Sequence, residues 1–295
     1  MTIPAVADEV VEVAEAGPRR GALRRFRRNP AAVAGLTLLF LVVLAALFAR
    51  PLSGHDPNQI DLLAARAAPN GEHWLGTDST GRDVLSRLLF AGRVSLGVGI
   101  ASAALAVVIG TVLGGIAGLL GGWVDGLVMR AADVFMSFPS LVVIVVIAGV
   151  LGPSVVTMII AIGLFQWPVC GRIVRGVTLS LREQEYVLAS RATGAGALWL
   201  LRRHIIPAAL PPVSVAATLA VAQAIALEAT LSFLGLGVQP PAASWGNMLT
   251  DAQSLTVIRS EPWLWVSPGV AVALIVLAVN FIGDGLRDAV DPRQS

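Results

Sequence analysis

Long uncharged stretches alternate with short charged ones along this chain. Two of these stretches, Val134–Gly171 and Ile205–Leu227, contain no Asp, Glu, Lys or Arg. Runs of this length suit the hydrocarbon core of a bilayer, which one helix of about 20 apolar residues can cross. The charged segment between them, Ser180–Pro207, is therefore predicted to lie at a membrane surface.

The same pattern predicts six membrane-spanning helices. Gly152-Pro153 is a strong turn signal that splits the longest apolar run into two spans. Pro139 is expected to kink the first of these, which follows a short inner turn around Asp125 and Arg130. The segment before the second span is expected to be an external loop with an amphipathic end, Asp83–Phe90. The remaining spans are predicted within Ala31–Ala49, Val94–Val124, Ala208–Leu231 and Trp265–Gly283.

The charged segment has the pattern of two short helices joined by a glycine turn. Ser180 and Glu183 fit a capping box, in which each side chain accepts a hydrogen bond from a free backbone N–H at a helix start. Helix-forming residues continue to Ala192, and Gly194 with Gly196 is expected to end this helix. A second helix, Ala197–Ile206, is predicted to end at Pro207, which lacks the N–H that a helix interior needs.

Composition and charge place the chain in the membrane. It has 56 % hydrophobic and 14 % charged residues, with a mean hydropathy of +0.78, whereas soluble domains have about 25 % charged residues. Of its 21 basic residues, all Arg, 15 fall on the side of the predicted spans that carries both termini. Because positive charge stays in the cytoplasm, both termini are predicted to be cytoplasmic.

Glycines recur every four residues within the predicted second span, at Gly110, Gly114 and Gly118. A smooth helix face of this kind lets another backbone approach closely. Packing within the chain is the expected role, and an interface with a partner subunit is the alternative.

Candidate catalytic chemistry is sparse. Without Lys the chain cannot form a Walker phosphate-binding loop, and no hydrolase elbow, dinucleotide fingerprint or spaced metal-ligand motif occurs in the sequence. His55 and His73 are therefore expected to be simply solvated, with no metal site, and Cys170 to be a small packing residue. No feature indicates nucleic-acid binding.

Polar residues inside the predicted spans are the remaining candidates. Such residues are costly in lipid and usually face an interior or a cavity. Gln223 and Glu228 are expected on a translocation path or its gate. For Glu228, a purely structural hydrogen bond or ion pair that holds its helix in place is an open alternative.

Four stretches resemble one family of transporters. The charged segment is similar to the "EAA" loop of membrane subunits in ATP-binding-cassette (ABC) importers, with Ala189-Ser190 in place of paired Ala, then Gly194 and Pro207. Leu188 and His204 depart from that pattern. HWLGTDSTGRDVLSRLLFAGRVSL resembles the N-terminal signature of the C-type permease of dipeptide/oligopeptide importers. Two segments near the C-terminus, EATLSFLGLGVQPPAASWGNMLTDAQ and PGVAVALIVLAVNFIGDGLRDAVDPR, resemble the same permeases.

The resemblance implies an all-α, type I ABC importer permease in a bacterial cell membrane. It also implies a second permease subunit, two ATP-binding subunits or domains that hold ATP and Mg²⁺, and an external solute-binding protein. This chain would be non-catalytic, with no cofactor of its own. Coupling to the ATPases would fall on Glu185, Ala189, Arg191, Gly194 and Pro207.

The expected organisation has four parts. These are a tail with a basic block (1–30), the first span and external loop (31–93), a five-helix core containing the coupling loop 172–207 (94–284), and a C-terminal tail (285–295). Di- or oligopeptides are the expected cargo, with nickel or another non-peptide solute as the alternative. An ion-coupled secondary transporter and a non-transporting scaffold are less favoured, since neither would need ATPase partners.

Overall fold

Helices form nearly all of the structure, a computed structural model that describes residues 24–290; this part of the chain contains no β-strand, only an isolated bridge between Thr77 and Asp83. The helices are α1 (Pro30–Leu47), α2 (Ala49–Ser53), α3 (Val84–Leu120), α4 (Gly122–Ser137), α5 (Ser140–Leu151), α6 (Val155–Leu181), α7 (Glu185–Ala192), α8 (Ala197–Leu200), α9 (Ile206–Phe233), α10 (Trp245–Met248), α11 (Leu255–Ser260) and α12 (Trp263–Val290).

Five of these helices are long and apolar enough to cross a membrane. They are α1, α3, α6, the continuous helix Ala197–Phe233 that contains α8 and α9, and α12. The bent pair α4–α5 supplies a sixth crossing if it is counted as one span. The polytopic helical class is therefore confirmed. The 1–23 and 291–295 parts of the predicted tails lie outside the described residues.

The glycine face of α3 packs against α6. A Cβ atom placed on Gly110 would lie 2.7 Å from Cβ of Cys170, and one on Gly118 would lie 2.6 Å from Cβ of Thr178. Gly114 lies against the backbone of Gly171. The absence of side chains lets the two backbones approach closely. The expected packing within the chain is confirmed, and this face is occupied by α6.

Helix α3 begins earlier than the sequence predicts. Asp83 caps its N-terminus by accepting a hydrogen bond from the backbone N–H of Ser86 at 2.6 Å. The amphipathic segment Asp83–Phe90 is thus the cap and first turns of α3. The helix continues without a break past residue 93, where the loop was expected to end. With 37 residues, α3 is about 55 Å long and extends beyond a bilayer core of about 30 Å.

The predicted inner turn around Asp125 and Arg130 is wrong, because both residues lie in α4. Proline has no N–H, and it restricts the backbone of the residue before it. The chain therefore breaks before Pro139, and the axes of α4 and α5 meet there at a bend of 87°. Two ion pairs hold α4 against α6: Arg172 with Asp133 at 2.5 Å, and Arg175 with Asp125 at 2.5 Å. The local pattern marked the proline but not these contacts.

Three helix ends also differ from expectation. The capping box is wrong, because the Ser180 hydroxyl donates to the Val177 carbonyl inside α6, and α7 begins at Glu185. Pro207 does not end a helix either. A π-helical segment, Leu201–Ile205, precedes it, and Pro207 lies in the first turn of α9 within the continuous helix Ala197–Phe233. A local π-helical turn lets a spanning helix accommodate the missing N–H of proline. Helix α12 continues to Val290, so residues 285–290 are helical.

Candidate functional site

The segment between α6 and α9 presents an exposed surface of mixed polar and apolar side chains on a buried apolar anchor. Glu185, Ala189, Arg191 and Gly194 are all exposed. Val187, the third residue of α7, is fully buried against a cluster that includes Leu119 and Ile205. Helix α7 is therefore held on the helical body by its apolar face while its other face stays open.

Two arginines connect this segment to the end of α3. Arg191 donates to the carbonyl of Leu119 at 3.3 Å, and Arg182 donates to the carbonyl of Gly118 at 3.4 Å. The last carbonyls of a helix have no partner within the helix, and they form the negative end of its dipole. The two guanidinium groups donate hydrogen bonds to these carbonyls and place positive charge at the negative end of the dipole. The sequence pattern indicated Arg191 but not Arg182 or Val187.

Gly194 ends α7 in the left-handed conformation, with φ of +87°. The N–H of Gly194 donates to the Arg191 carbonyl at 2.9 Å, and that of Ala195 donates to the Ser190 carbonyl at 3.0 Å. These bonds close the helix C-terminus in the way that glycine favours. The predicted glycine stop is confirmed.

His204 departs from the family pattern for a local reason that the structure shows. Its ring packs edge-on between Tyr186 and Trp199, with centroids 5.2 and 5.3 Å away. The imidazole thereby joins α7 to the π-helical segment, which an aliphatic side chain could not do through the same ring contacts.

A cavity of about 290 Å³ lies between α3, α6 and α9. Its wall is mostly apolar, and Gln166 and Gln223 contribute amide groups to it. Both polar atoms of the Gln166 side chain are buried without a hydrogen-bond partner among the described residues. Buried amides are normally paired, so these groups are available to something that enters the cavity. Gln223, one of the two predicted path residues, is thus among the residues that line this cavity.

Glu228 is not among the residues that line this cavity, although its neighbour Leu227 is. It lies in a hydrogen-bonded network near the C-terminal end of α9. Its carboxylate accepts hydrogen bonds from the hydroxyls of Ser95 and Ser232, both at 2.7 Å. The Ser95 oxygen in turn accepts from the backbone N–H of Trp245 at 3.2 Å. The side chain is 0 % exposed. It thus joins α3, α9 and α10, as the structural alternative for this residue describes.

Charged side chains gather around Asp78, in the segment between α2 and α3. Asp78 accepts hydrogen bonds from Thr80 and from Arg82 Nε at 2.7 Å, and Arg87 lies 3.6 Å away. Burial opposes ionisation of Asp78, but these hydrogen bonds and Arg82 outweigh it and lower the pKa of its carboxyl group. Burial and the negative charge of Asp78 raise the pKa of the nearby Asp251.

The structure corrects the expectation that His55 and His73 are simply solvated. The rings of His55 and His73 lie 5.1 Å apart, and His73 Nδ1 is 2.9 Å from Asp83 Oδ2. Only 9 % of His73 is exposed. The two histidines are 18 residues apart in the sequence, and the folding of the loop between α2 and α3 brings them together.

The structure combines helices long enough to cross a membrane, a cavity between three of them and an exposed segment anchored on the helical body. These features define a helical membrane transport subunit. The chain belongs to the family of binding-protein-dependent transport system inner membrane components, which it matches over residues 110–295. Residues 17–69 match the N-terminal transmembrane domain of oligopeptide transport permease C. These families consist of permease subunits of ABC importers, and the chain is a multi-pass inner membrane protein.

Curated relatives cover most of the chain. A protein of Brucella suis biovar 1 (strain 1330) with a provisional peptide permease name is 48 % identical, over 95 % of this chain and 93 % of its own length. The nickel transport system permease of Escherichia coli K12 is 44 % identical, over 87 % of this chain and 92 % of its own length. The oligopeptide transport system permease of Bacillus subtilis 168 is 42 % identical, over 93 % of this chain and 89 % of its own length.

Proposed function

We propose that this chain is the membrane-spanning subunit of an ABC importer that moves di- or oligopeptides into the cell. An external solute-binding protein delivers the peptide, and a second permease subunit completes the translocation path. Two ATP-binding subunits or domains bind ATP and Mg²⁺ and perform the hydrolysis, so this chain is non-catalytic and holds no cofactor. The observation that carries the proposal is the exposed face of α7, which is bonded through Arg191 to α3.

The contacts of α7 supply a route for mechanical coupling. An ATPase docks on Glu185, Ala189 and Arg191. When its docking surface moves, α7 moves with it. Arg191 and Arg182 transmit the displacement to the end of α3, and the close α3–α6 packing makes these two helices move together. Both helices line the cavity, so its opening changes as α7 moves. Pro207 and the π-helical segment lie where this motion reaches α9.

The lining of the cavity favours a peptide over a metal ion as cargo. Amide groups of Gln166 and Gln223 can both donate to and accept from a peptide backbone, while apolar walls accept varied side chains. The residues that line the cavity include neither an imidazole nor a carboxylate, which are frequent ligands of nickel. Nickel remains the second candidate because of the 44 % identical nickel permease.

Reconstitution tests the proposal directly. We expect proteoliposomes that contain both permease subunits and the ATPases to accumulate labelled peptide only with ATP and the binding protein. Gln223→Leu should lower peptide uptake, while Thr230→Val, at an exposed position on the same helix, should not. Uptake of Ni²⁺ without peptide uptake would support the second candidate. Uptake without the ATPases would instead indicate an ion-coupled transporter.

We further propose that Glu228 acts at the outer gate by holding α3, α9 and α10 together. Glu228→Leu would leave the hydroxyls of Ser95 and Ser232 without their acceptor, at a cost of about 1–3 kcal/mol for each unsatisfied group. Glu228→Gln keeps a side-chain oxygen in place. We expect the Leu variant to lower thermal stability and to make ATP hydrolysis independent of the binding protein, with the Gln variant close to wild type. Equal stability of the two variants would contradict this role.

A further inference from the structure

The external segment between α2 and α3 brings together three groups that can bind a metal ion. His55, His73 and Asp83 each offer one ligand atom, and these atoms all lie within 4.8 Å of one another. His73 and Asp83 are buried, with 9 % and 4 % exposure, and His55 is half-buried. They come from the beginning, the middle and the end of a segment that is mostly without regular secondary structure.

Hydrogen bonds hold both histidines in place. His55 Nδ1 lies 3.0 Å from the Ser53 carbonyl, which can only accept, so this nitrogen carries the proton and Nε2 keeps its lone pair. The His55 carbonyl also accepts from the Ser86 hydroxyl of α3 at 2.9 Å. The backbone N–H of His73 donates to Asn70 Oδ1 at 2.8 Å. Such support keeps potential ligands in position before an ion binds.

The distance of 2.9 Å between His73 Nδ1 and Asp83 Oδ2 is compatible with two arrangements. It is a hydrogen-bond distance, and it is also close to the separation of about 3.0 Å between two neighbouring ligands that each lie about 2.1 Å from an octahedral ion. A tetrahedral ion would hold the same two atoms about 3.4 Å apart, which requires a small outward shift. A structural His–Asp hydrogen bond alone would not require a second imidazole. The His55 ring nevertheless lies 5.1 Å from that of His73, and this second ring favours a metal site.

We infer that His55, His73 and Asp83 form a binding site for a divalent transition-metal ion at the outer face. Two imidazoles and one carboxylate suit Zn²⁺, Ni²⁺ or Co²⁺, whereas Mg²⁺ and Ca²⁺ prefer oxygen ligands alone. The bound ion would fasten residues 54–83 onto the N-terminus of α3. This inference goes beyond the proposed transport function, because it concerns the chain alone and requires no cargo, ATPase or binding protein.

Zinc binding by the full chain in lipid nanodiscs tests the inference. The protein should be purified through an affinity tag without histidine, because a polyhistidine tag would itself bind Zn²⁺. We expect isothermal titration calorimetry to show one tightly bound Zn²⁺ per chain, with no displacement by an excess of Mg²⁺. Since the sequence contains three histidines, His204→Ala is the matched control and should leave the affinity unchanged.

Loss of a ligand should weaken Zn²⁺ binding by at least about tenfold, as changes around metal ligands typically do. We expect this result for His55→Ala and for Asp83→Asn, whose amide can still cap α3. These two variants decide the outcome if His73→Ala does not fold. Wild-type affinity in both variants, or no stoichiometric binding by the wild-type chain, would overturn the inference. Neither result would affect the proposed transport function.

Discussion

Gly194 shows how one residue can control the conformation of the segment between α6 and α9, to which we assign the coupling role. Its φ is +87°, and no atom lies within 4 Å of the position that a Cβ would occupy. A side chain there would therefore strain the backbone without a steric clash. Gly196 is the matched control, since it is equally open but has a φ of −73°, which any residue adopts.

We expect Gly194→Ala to destabilise the end of α7 by about 1–2 kcal/mol, while Gly196→Ala is nearly neutral. A change of this size lowers the ratio of native to altered loop by a factor of roughly 5 to 30. Both variants should insert normally. Peptide uptake per ATP hydrolysed, measured in proteoliposomes, should fall for Gly194→Ala and more strongly for Gly194→Leu. Normal uptake by Gly194→Leu would refute its assignment to coupling.

Asp251 provides a test that depends on pH. Because burial and Asp78 raise the pKa of its carboxyl group in the folded protein, ionisation of Asp251 opposes folding. The stability associated with the protonated form is complete below the unfolded pKa of about 3.9 and is lost as the pH rises through the folded pKa. We expect Asp251→Asn to raise the unfolding temperature at pH 7.5, and this gain should shrink as the pH falls towards 4. A constant difference across that range would contradict the electrostatic explanation.

At the scale of helices, the contact between α7 and the C-terminus of α3 is the element that links docking to the cavity in the mechanism that we propose. Arg191→Ala removes a charged hydrogen bond at that helix end, where such contacts contribute about 0.3–1 kcal/mol. We expect faster amide hydrogen exchange in the last turns of α3, measured by mass spectrometry on the isolated chain in nanodiscs.

Arg203→Ala is the control for this prediction. Arg203 is an exposed arginine of the same segment, but it lies beyond α8 in the π-helical region. The two substitutions change the net charge equally, so a difference between them reports the Leu119 contact. Equal exchange at the end of α3 in both variants would show that Arg191 does not stabilise it.

At the scale of the whole molecule, the predicted orientation places both termini and α7 in the cytoplasm. Cysteine labelling can test this, because Cys170 is the chain's one cysteine and is buried. In a Cys170→Ala background, a membrane-impermeant maleimide should label Asn58→Cys in intact spheroplasts. It should label Glu183→Cys only after permeabilisation. Both sites are exposed, so labelling of Glu183→Cys in intact cells would show that the orientation is reversed.

Local sequence was sufficient wherever one residue type imposes its own conformation or environment. Gly194 ended α7 as predicted, because only glycine readily adopts its backbone angles. The uncharged runs identified the crossing helices, because each backbone group in lipid must be bonded within its own segment. Pro207 was misjudged because the penalty for proline depends on whether a helix begins or continues there, and a π-helical segment altered that context.

The amino-acid sequence by itself determined the helical membrane class, most of the spans and the exposed segment between α6 and α9. These features depend on hydrophobic run length and on local backbone preferences. Only the tertiary structure decided which distant groups meet: Arg191 with Leu119, Glu228 with Ser95, and His55 with His73. The first two contacts join helices whose residues are 72 and 133 positions apart in the sequence, and the third joins two residues of one folded loop. No local pattern records such an arrangement.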